Sequence, residues 1–252
     1  MNLILIGLVG MLLQSPVVSP SISNHNVRCF AEDAEGHVWI GTGRGLNKYD
    51  THEYRQYFWE TDSLSLPDNQ INDLHVDRSG TLWVATAYGA ACYTERDDFR
   101  RVGMPEGVSW NVSDILETSG GTLVFLHGND LSVLDPERNA LKTVVKGVAG
   151  FGEMGITCHV DSRDRLWVVS SARIRSYDTS SFSLLADVEN AIPAFHSCLS
   201  SDGKLYLAGM KQLAVFDTVT GRFRDLPASL EPSGLLKDAD VTNIFQVDAS
   251  HI

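Results

Sequence analysis

Three alternating glycines, Gly41, Gly43 and Gly45, follow an apolar run and have the spacing of a phosphate-binding loop. A dinucleotide fingerprint needs its third glycine at the position of Leu46, and it needs a helix whose N-terminal amides point at the phosphate. The segment that follows reads LNKYD and has the pattern of a strand. We therefore expect these glycines to shape a turn, and we predict no nucleotide or other cofactor.

Histidines, acids and cysteines that could hold a metal or catalyse a reaction are scattered along the chain. The eight histidines form no H-E-x-x-H, the four cysteines form no C-x-x-C, and G-x-S-x-G is absent. A calcium loop needs several oxygen ligands within about a dozen residues, but the turn acids are spread one per repeat: Asp33, Asp77, Asp161 and Asp202. We predict no catalytic residue and no metal site. The cysteines are expected to be buried thiols in strands, with disulfide pairing as the alternative.

The overall charge and the N-terminal segment bear on partners and location. A formal net charge of −12 over 252 residues argues against direct binding of nucleic acid, which requires a basic surface. The first 27 residues lack Asp, Glu, Lys and Arg, and the apolar run Leu3 to Leu13 is too short for a bilayer, which needs about 20 residues. It resembles the core of a signal peptide, with small residues at Ser21 and Ser23, although no Lys or Arg precedes it. We predict a signal peptide or N-terminal anchor over 1–23, and a periplasmic or extracellular location. An apolar first strand is the alternative.

A repeat organises the rest of the sequence. Five segments share an anchor residue inside an apolar run, at spacings of 44, 41, 43 and 39 residues: Trp39, Trp83, Val124, Trp167 and Tyr206. Ten residues after each anchor stands another apolar or aromatic residue: Tyr49, Tyr93, Leu134, Tyr177 and Phe216. Because these internal offsets are constant, insertions fall between units and each unit folds in the same way.

Each unit reads as four short strands. An alternating run, a polar turn and the anchor strand predict a hairpin, and two further strands follow, as in GLNKYD and YRQYFWE of the first unit. Units of about 42 residues with four antiparallel strands are typical of β-propeller blades, which cover each other's faces by stacking. We predict an all-β propeller with blades at about 24–66, 67–107, 108–151, 152–190 and 191–233, and a partial blade at 234–252. The anchor aromatics should fill the space between blades.

The first unit, NHNVRCFAEDAEGHVWIGTGRGLNKYD, resembles the two-component regulator propeller repeat. The match includes Asn26, Asp33, Gly36, Trp39 and Gly45, and the second unit repeats it around Trp83. Later units keep the spacing but lose Gly-Thr after the anchor. The resemblance implies the extracytoplasmic sensor region of a Bacteroidota hybrid sensor histidine kinase that responds to an oligosaccharide and signals through kinase modules.

The number of units departs from that family pattern. Five units and a sixth opening, VTNIFQVDASHI, are present, whereas a sensor propeller of this type has about seven, and no kinase or receiver segment is visible. We interpret the chain as an N-terminal fragment whose exposed blade faces would self-associate or meet a second propeller. A closed five-bladed ring is the alternative.

Candidate ligand-binding residues come from the loops that a blade places on one edge. These loops carry amides, aromatics and bases suited to sugar hydroxyls and acidic sugars: Asn26, Arg44, Gln70, Tyr88, Trp110, Asn111, Asn129 and Lys211. Trp110 departs from the repeat pattern just before an inner strand and is the first choice. We predict a non-enzymatic module that senses an oligosaccharide. The alternatives are a secreted propeller lyase or hydrolase acting on polysaccharide, and a protein-interaction scaffold.

Overall fold

In the first two units the hairpin turn is closed by an acid side chain and a glycine. In the first unit Asp33 Oδ1 accepts hydrogen bonds from the backbone N–H groups of Glu35 (3.0 Å) and His37 (2.9 Å). Gly36 adopts φ +83°, a conformation that residues with a Cβ rarely enter. Asp77 closes the second turn in the same way, accepting from Ser79 and Thr81. Local turn chemistry therefore fixes where each first strand ends and the anchor strand begins.

The computed structural model describes residues 17–19, 21–150, 152–210 and 212–226, and their strands form five antiparallel sheets. The first sheet holds β1 (Val17–Ser19), β2 (Val27–Glu32), β3 (Val38–Thr42), β4 (Gly45–Tyr49) and β5 (Tyr54–Tyr57). The second holds β6 (Ile71–Val76), β7 (Leu82–Thr86), β8 (Gly89–Tyr93) and β9 (Phe99–Arg101). The third holds β10 (Val112–Glu117), β11 (Leu123–His127), β12 (Asp130–Asp135) and β13 (Ala140–Val145). The fourth holds β14 (Thr157–Val160), β15 (Arg165–Val169), β16 (Arg173–Asp178) and β17 (Leu184–Glu189). The fifth holds β18 (Ala194–Leu199), β19 (Lys204–Gly209), β20 (Gln212–Asp217) and β21 (Arg222–Arg224).

Within each sheet the strands of one unit pair in sequence order, which is the meander of a propeller blade. The first strands of consecutive blades, β2, β6, β10, β14 and β18, contact one another in that order and form the inner edge of the array. The prediction of an all-β propeller built from repeated blades is confirmed. Within the described ranges there is no helix long and apolar enough to cross a membrane.

The core consists of four apolar clusters, one between each pair of adjacent blades. In the first cluster Trp39, fully buried, packs with Leu74 and Val84 of the second blade. The other clusters hold Trp83, Val124 and Trp167 in the same role. The anchors therefore fill the space between blades as predicted, and each blade needs its neighbour in order to bury them.

A buried hydrogen bond accompanies every anchor tryptophan. The indole N–H of Trp39, Trp83 and Trp167 donates to the carboxylate six residues earlier, at 2.8, 2.7 and 2.8 Å: Asp33, Asp77 and Asp161. Where the anchor is Val124 or Tyr206 the corresponding residue is Thr118 or Ser200. Asp202 lies in the turn of its blade, as expected, but two residues after Ser200, which occupies the place of the tryptophan-binding acids.

The first sheet has a fifth strand that the four-strand pattern does not predict. β1 pairs antiparallel with β5 at the outer edge of the blade, inside the segment 1–23. The chain then crosses the blade, where Ser23 N donates to Asn47 Oδ1 (2.7 Å) and Asn47 Nδ2 donates to Ser23 Oγ (2.9 Å). Asn47 is fully buried and its Nδ2 also donates to Ile40 O (3.1 Å), so the crossing supplies the donor for Oδ1 and a second acceptor for Nδ2.

Among the described blades, none covers one side of the inner strand of the first blade. Phe30 is 64% exposed, whereas the equivalent residues Leu74, Ile115 and Cys158 are 7%, 2% and 3% exposed because the preceding blade covers them. Cys29, Cys92 and Cys158 are free thiols in strands, as expected, and Cys198 lies in β18. The expected partial blade 234–252 and residues 1–16 lie outside the described residues.

Candidate ligand-binding face

Tight turns between the second and third strands of the first two blades build one edge of the array. Thr42 Oγ1 donates to Gly45 O (2.7 Å) and accepts from Arg44 N (3.1 Å), and Thr86 does the same at its own turn. Gly45 needs φ +105°, and a Cβ there would lie 2.7 Å from Phe58. These turns project the side chains of Arg44 and Tyr88 to solvent.

The same edge carries the segments that precede the inner strands. Gly45 N donates to Asn69 O (2.6 Å), and Gly89 N donates to Trp110 O (2.7 Å), so each turn is tied to the next blade. Asn69 and Trp110 occupy equivalent positions, fourteen residues before the anchors Trp83 and Val124. The expectation that the two kinds of loop share one edge is met at these interfaces.

Tyr88 and Trp110 form an exposed aromatic pair where the second and third blades meet. Their ring centroids are 4.7 Å apart at an interplanar angle of 34°, and the residues are 57% and 43% exposed. The Gly89–Trp110 backbone bond holds the two rings together. The rings partly stack on each other, and the parts that stay exposed offer an apolar surface that a ligand can cover.

A ladder of hydrogen bonds joins three blades beside this aromatic pair. Asn72 Nδ2 donates to Asn111 Oδ1 (3.0 Å) and to Val112 O (2.7 Å) in the third blade. Asn72 Oδ1 accepts from Arg28 in the first blade and from Gln70, both at 3.2 Å. Asn72 thus orients two of the predicted residues, Gln70 and Asn111, together with Arg28. Sequence reasoning missed both Arg28 and Asn72.

The remaining predicted residues lie along the same edge at greater separation. Asn26 O accepts from Gly43 N (2.8 Å), which places Asn26 beside the turn that carries Arg44. Asn129 is exposed, and its carbonyl accepts from Val148 N (2.8 Å). No contact joins these three side chains to the aromatic pair in the part of the chain described here, and Lys211 lies outside it. Their roles remain predictions.

Next to the ladder lie two buried carboxyl groups, Asp73 and Asp114. Asp73 Oδ2 accepts from Ile115 N (2.9 Å), Asp114 Oδ2 accepts from Cys158 N (3.0 Å), and the two carboxyls hydrogen-bond to each other. Burial raises the pKa of both groups, and the adjacent Asp73 raises the pKa of Asp114 further. A carboxyl–carboxyl hydrogen bond requires one proton, so the pair acts as a structural link between inner strands.

Among the described histidines, His159 and His127 hydrogen-bond to serines, whereas His75 Nε2 and His127 Nδ1 are buried without a hydrogen-bond partner. His159 Nε2 lies 2.7 Å from Ser197 Oγ, and burial lowers the pKa of His159 to about 4, so its ring is neutral. His127 Nε2 lies 2.6 Å from Ser132 Oγ, and burial lowers its pKa as well. His75 Nε2 lies 3.7 Å from Glu117.

One group with metal-ligand atoms stands out within the described ranges, formed by Asp33, Glu35 and His37, whose atoms lie within 4.8 Å of one another. Asp33 already accepts hydrogen bonds from the indole of Trp39 and from two backbone N–H groups of its turn. These bonds outweigh desolvation and lower the pKa of Asp33. Closing the hairpin therefore explains the position of Asp33 without a metal ion.

Comparison with solved structures shows how widely this architecture is shared. A virginiamycin B lyase from Staphylococcus aureus matches with a TM-score of 0.65 and 15% identity, over 83% of this chain and 73% of the lyase. The extracellular domain of a putative hybrid two-component system from B. thetaiotaomicron matches with a TM-score of 0.51 and 12% identity, over 86% of this chain. That of a putative one-component system from B. thetaiotaomicron matches with a TM-score of 0.50 and 13% identity, over 84% of this chain. At these identities the likeness concerns the fold.

The chain spans only 37% and 38% of the two extracellular domains from B. thetaiotaomicron. A search of curated proteins found no match. The profile described as two-component regulator propeller matches residues 21–44 and 65–88, which are the hairpins and following turns of the first two blades. These matches show that the first two blades are similar to the two-component regulator propeller repeat, and the later blades keep the same spacing.

Proposed function

We propose that this chain is an extracellular ligand-sensing module of a two-component regulatory system, and that it binds an oligosaccharide at the edge carrying Tyr88 and Trp110. The family repeat and the extracellular sensor domains of similar fold support the first part. The exposed aromatic pair is the observation that carries the second part. We also propose that the full protein signals to a histidine kinase. This part reaches beyond the present chain, which spans less than half of those extracellular domains.

The chemistry of the pair suits a sugar ring. One face of a pyranose carries mainly C–H groups, which pack against an aromatic plane, while the hydroxyls at its rim need hydrogen-bond partners. Tyr88 and Trp110 offer the plane, and Gln70 and Asn111 lie along the adjoining ladder with amide donors and acceptors. With centroids 4.7 Å apart the two rings partly stack on each other, so a sugar ring would pack on the ring surface that this contact leaves exposed.

Isothermal titration calorimetry against a panel of oligosaccharides tests the proposal. Saturable binding by the wild type should be lost in Trp110→Ala. The matched control is Tyr49→Ala, because Tyr49 and Tyr54 form a similar ring pair, with centroids 4.7 Å apart, where β4 ends on the opposite edge. Failure of every oligosaccharide to bind would overturn the proposal. Turnover of a bound glycan would instead assign the chain to a polysaccharide lyase or hydrolase.

A further inference from the structure

Two arginines stand on the candidate face without an acidic partner. Arg28 and Arg44 are both exposed. The described ion pairs of arginine involve other residues: Arg55, Arg78, Arg138, Arg165, Arg173, Arg175 and Arg224. A guanidinium group has five N–H donors in a planar fork, and Arg28 uses one nitrogen to reach Asn72. Most of the donor capacity of both arginines therefore faces solvent.

The repeat places one of these arginines in a defined relation to the aromatic pair. Arg44 and Tyr88 are equivalent residues of the first two turns. Each turn is hydrogen-bonded to a segment of the next blade, and in these two segments Asn69 and Trp110 are equivalent. One blade interface therefore displays two aromatic rings, and the adjacent interface displays a cation and an amide at the same positions. Arg28 and Asn72 form a hydrogen-bonded bridge between the two interfaces.

From this arrangement we infer that the ligand is an anionic oligosaccharide, with one sugar ring on Trp110 and Tyr88 and a carboxylate or sulfate group bound by Arg28 and Arg44. The inference rests on the proposed function and names the class of ligand. A planar guanidinium pairs with carboxylate or sulfate oxygens through parallel, charge-assisted hydrogen bonds, which are stronger than neutral ones. A neutral sugar would leave both cations without a counter-charge.

No described ion pair joins Arg28 or Arg44 to an acid near the face. Asp68 keeps its charge and accepts from Gln70 N (2.7 Å), while burial favours the protonated forms of Asp73 and Asp114. The formal net charge of −12 repels an anion at long range, but this field is screened over about 8 Å at physiological ionic strength. At contact distance the two guanidinium groups dominate.

The experiment compares three tetrasaccharides of equal length by calorimetry. Oligogalacturonate carries carboxylates, a carrageenan fragment carries sulfates on a galactose backbone, and a galactan fragment is neutral. The variants are Arg28→Gln, Arg44→Gln and their combination. Arg96→Gln is the matched control, because Arg96 is exposed on the opposite edge and has no ion pair among the described residues. Arg44→Gln changes only an exposed turn side chain, so at least one informative variant retains the fold.

We expect one of the two anionic tetrasaccharides to bind the wild type at least tenfold more tightly than the galactan. The double variant should lose that advantage, and Arg96→Gln should keep it. Preference for oligogalacturonate identifies a carboxylate ligand, and preference for the carrageenan fragment identifies a sulfate ligand. Equal binding of all three, or equal weakening of all three by the arginine variants, overturns the inference. If the galactan alone binds through Trp110, the inference fails while the proposed function stands.

Discussion

The bond between Asp77 and Trp83 offers a quantitative test of how the blades are held together. The indole N–H donates to Asp77 Oδ2 at 2.7 Å, and Trp83 is only 4% exposed. In Asp77→Ala this buried donor loses its partner, which costs about 1–3 kcal/mol. The backbone N–H groups of Ser79 and Thr81 also lose an acceptor, at about 0.5–1 kcal/mol each because water replaces part of it. The free energy of unfolding should therefore fall by about 2–5 kcal/mol.

A double-mutant cycle with Trp83→Phe isolates the bond itself. Since the acceptor is charged, the coupling energy between Asp77 and Trp83 should be about 1.5–3 kcal/mol. The third blade supplies a control, because Thr118 stands in the place of Asp77, the anchor is Val124, and Thr118 Oγ1 accepts only from Thr122 N (3.1 Å). Thr118→Ala should cost about 1 kcal/mol. Urea denaturation followed by tryptophan fluorescence measures all four variants. A coupling below about 0.5 kcal/mol, or equal costs for Asp77→Ala and Thr118→Ala, would refute the reasoning.

Three further perturbations have defined outcomes. Burial raises the pKa of Asp114 above its ordinary 3.8, so folding favours the protonated form. The contribution of Asp114 to the free energy of unfolding is therefore complete below about pH 4, and it is lost as the pH rises through the raised pKa. Asp114→Asn should flatten that dependence in urea titrations at several pH values, and an unchanged slope would contradict it. Asn72→Ala should weaken sugar binding while leaving the Tyr88–Trp110 contact intact, because only the bonds to Arg28, Gln70 and the third blade are lost; calorimetry alongside near-UV circular dichroism separates the two effects. Asn47→Ala should cost about 2 kcal/mol by removing the buried bonds to Ser23, and thermal unfolding unaffected by the change would show that this crossing contributes nothing.

Local patterns predicted the blades because their strands are set by short-range chemistry. Asp33 and Gly36 close a turn with their own backbone neighbours, and the alternation around Trp39 matches the pleat of a strand. The constant spacing of the anchors then predicts the same hairpin in each later unit. The sequence also shows that the acid accompanies tryptophan: Asp stands six residues before each anchor Trp, and it is replaced where the anchor is Val124 or Tyr206.

The candidate face was predicted less completely because it depends on how adjacent blades are offset. Tyr88 and Trp110 were chosen separately, but their contact follows from the bond between Gly89 and Trp110, which joins two repeats. Asn72 lies inside a predicted strand, and its four bonds reach three blades, so no local pattern distinguishes it. Strand β1 was missed because its apolar residues were assigned to a leader.

The crossing of the first blade by Ser23 constrains any maturation of the N-terminus. A peptidase that cut after Ser23 would remove β1 and the serine whose backbone and hydroxyl satisfy the buried amide of Asn47. A cut before Val17 would leave that packing whole and still release the apolar run from Leu3 to Leu13. For an exported and processed chain we therefore predict a cut before Val17, which N-terminal sequencing would test.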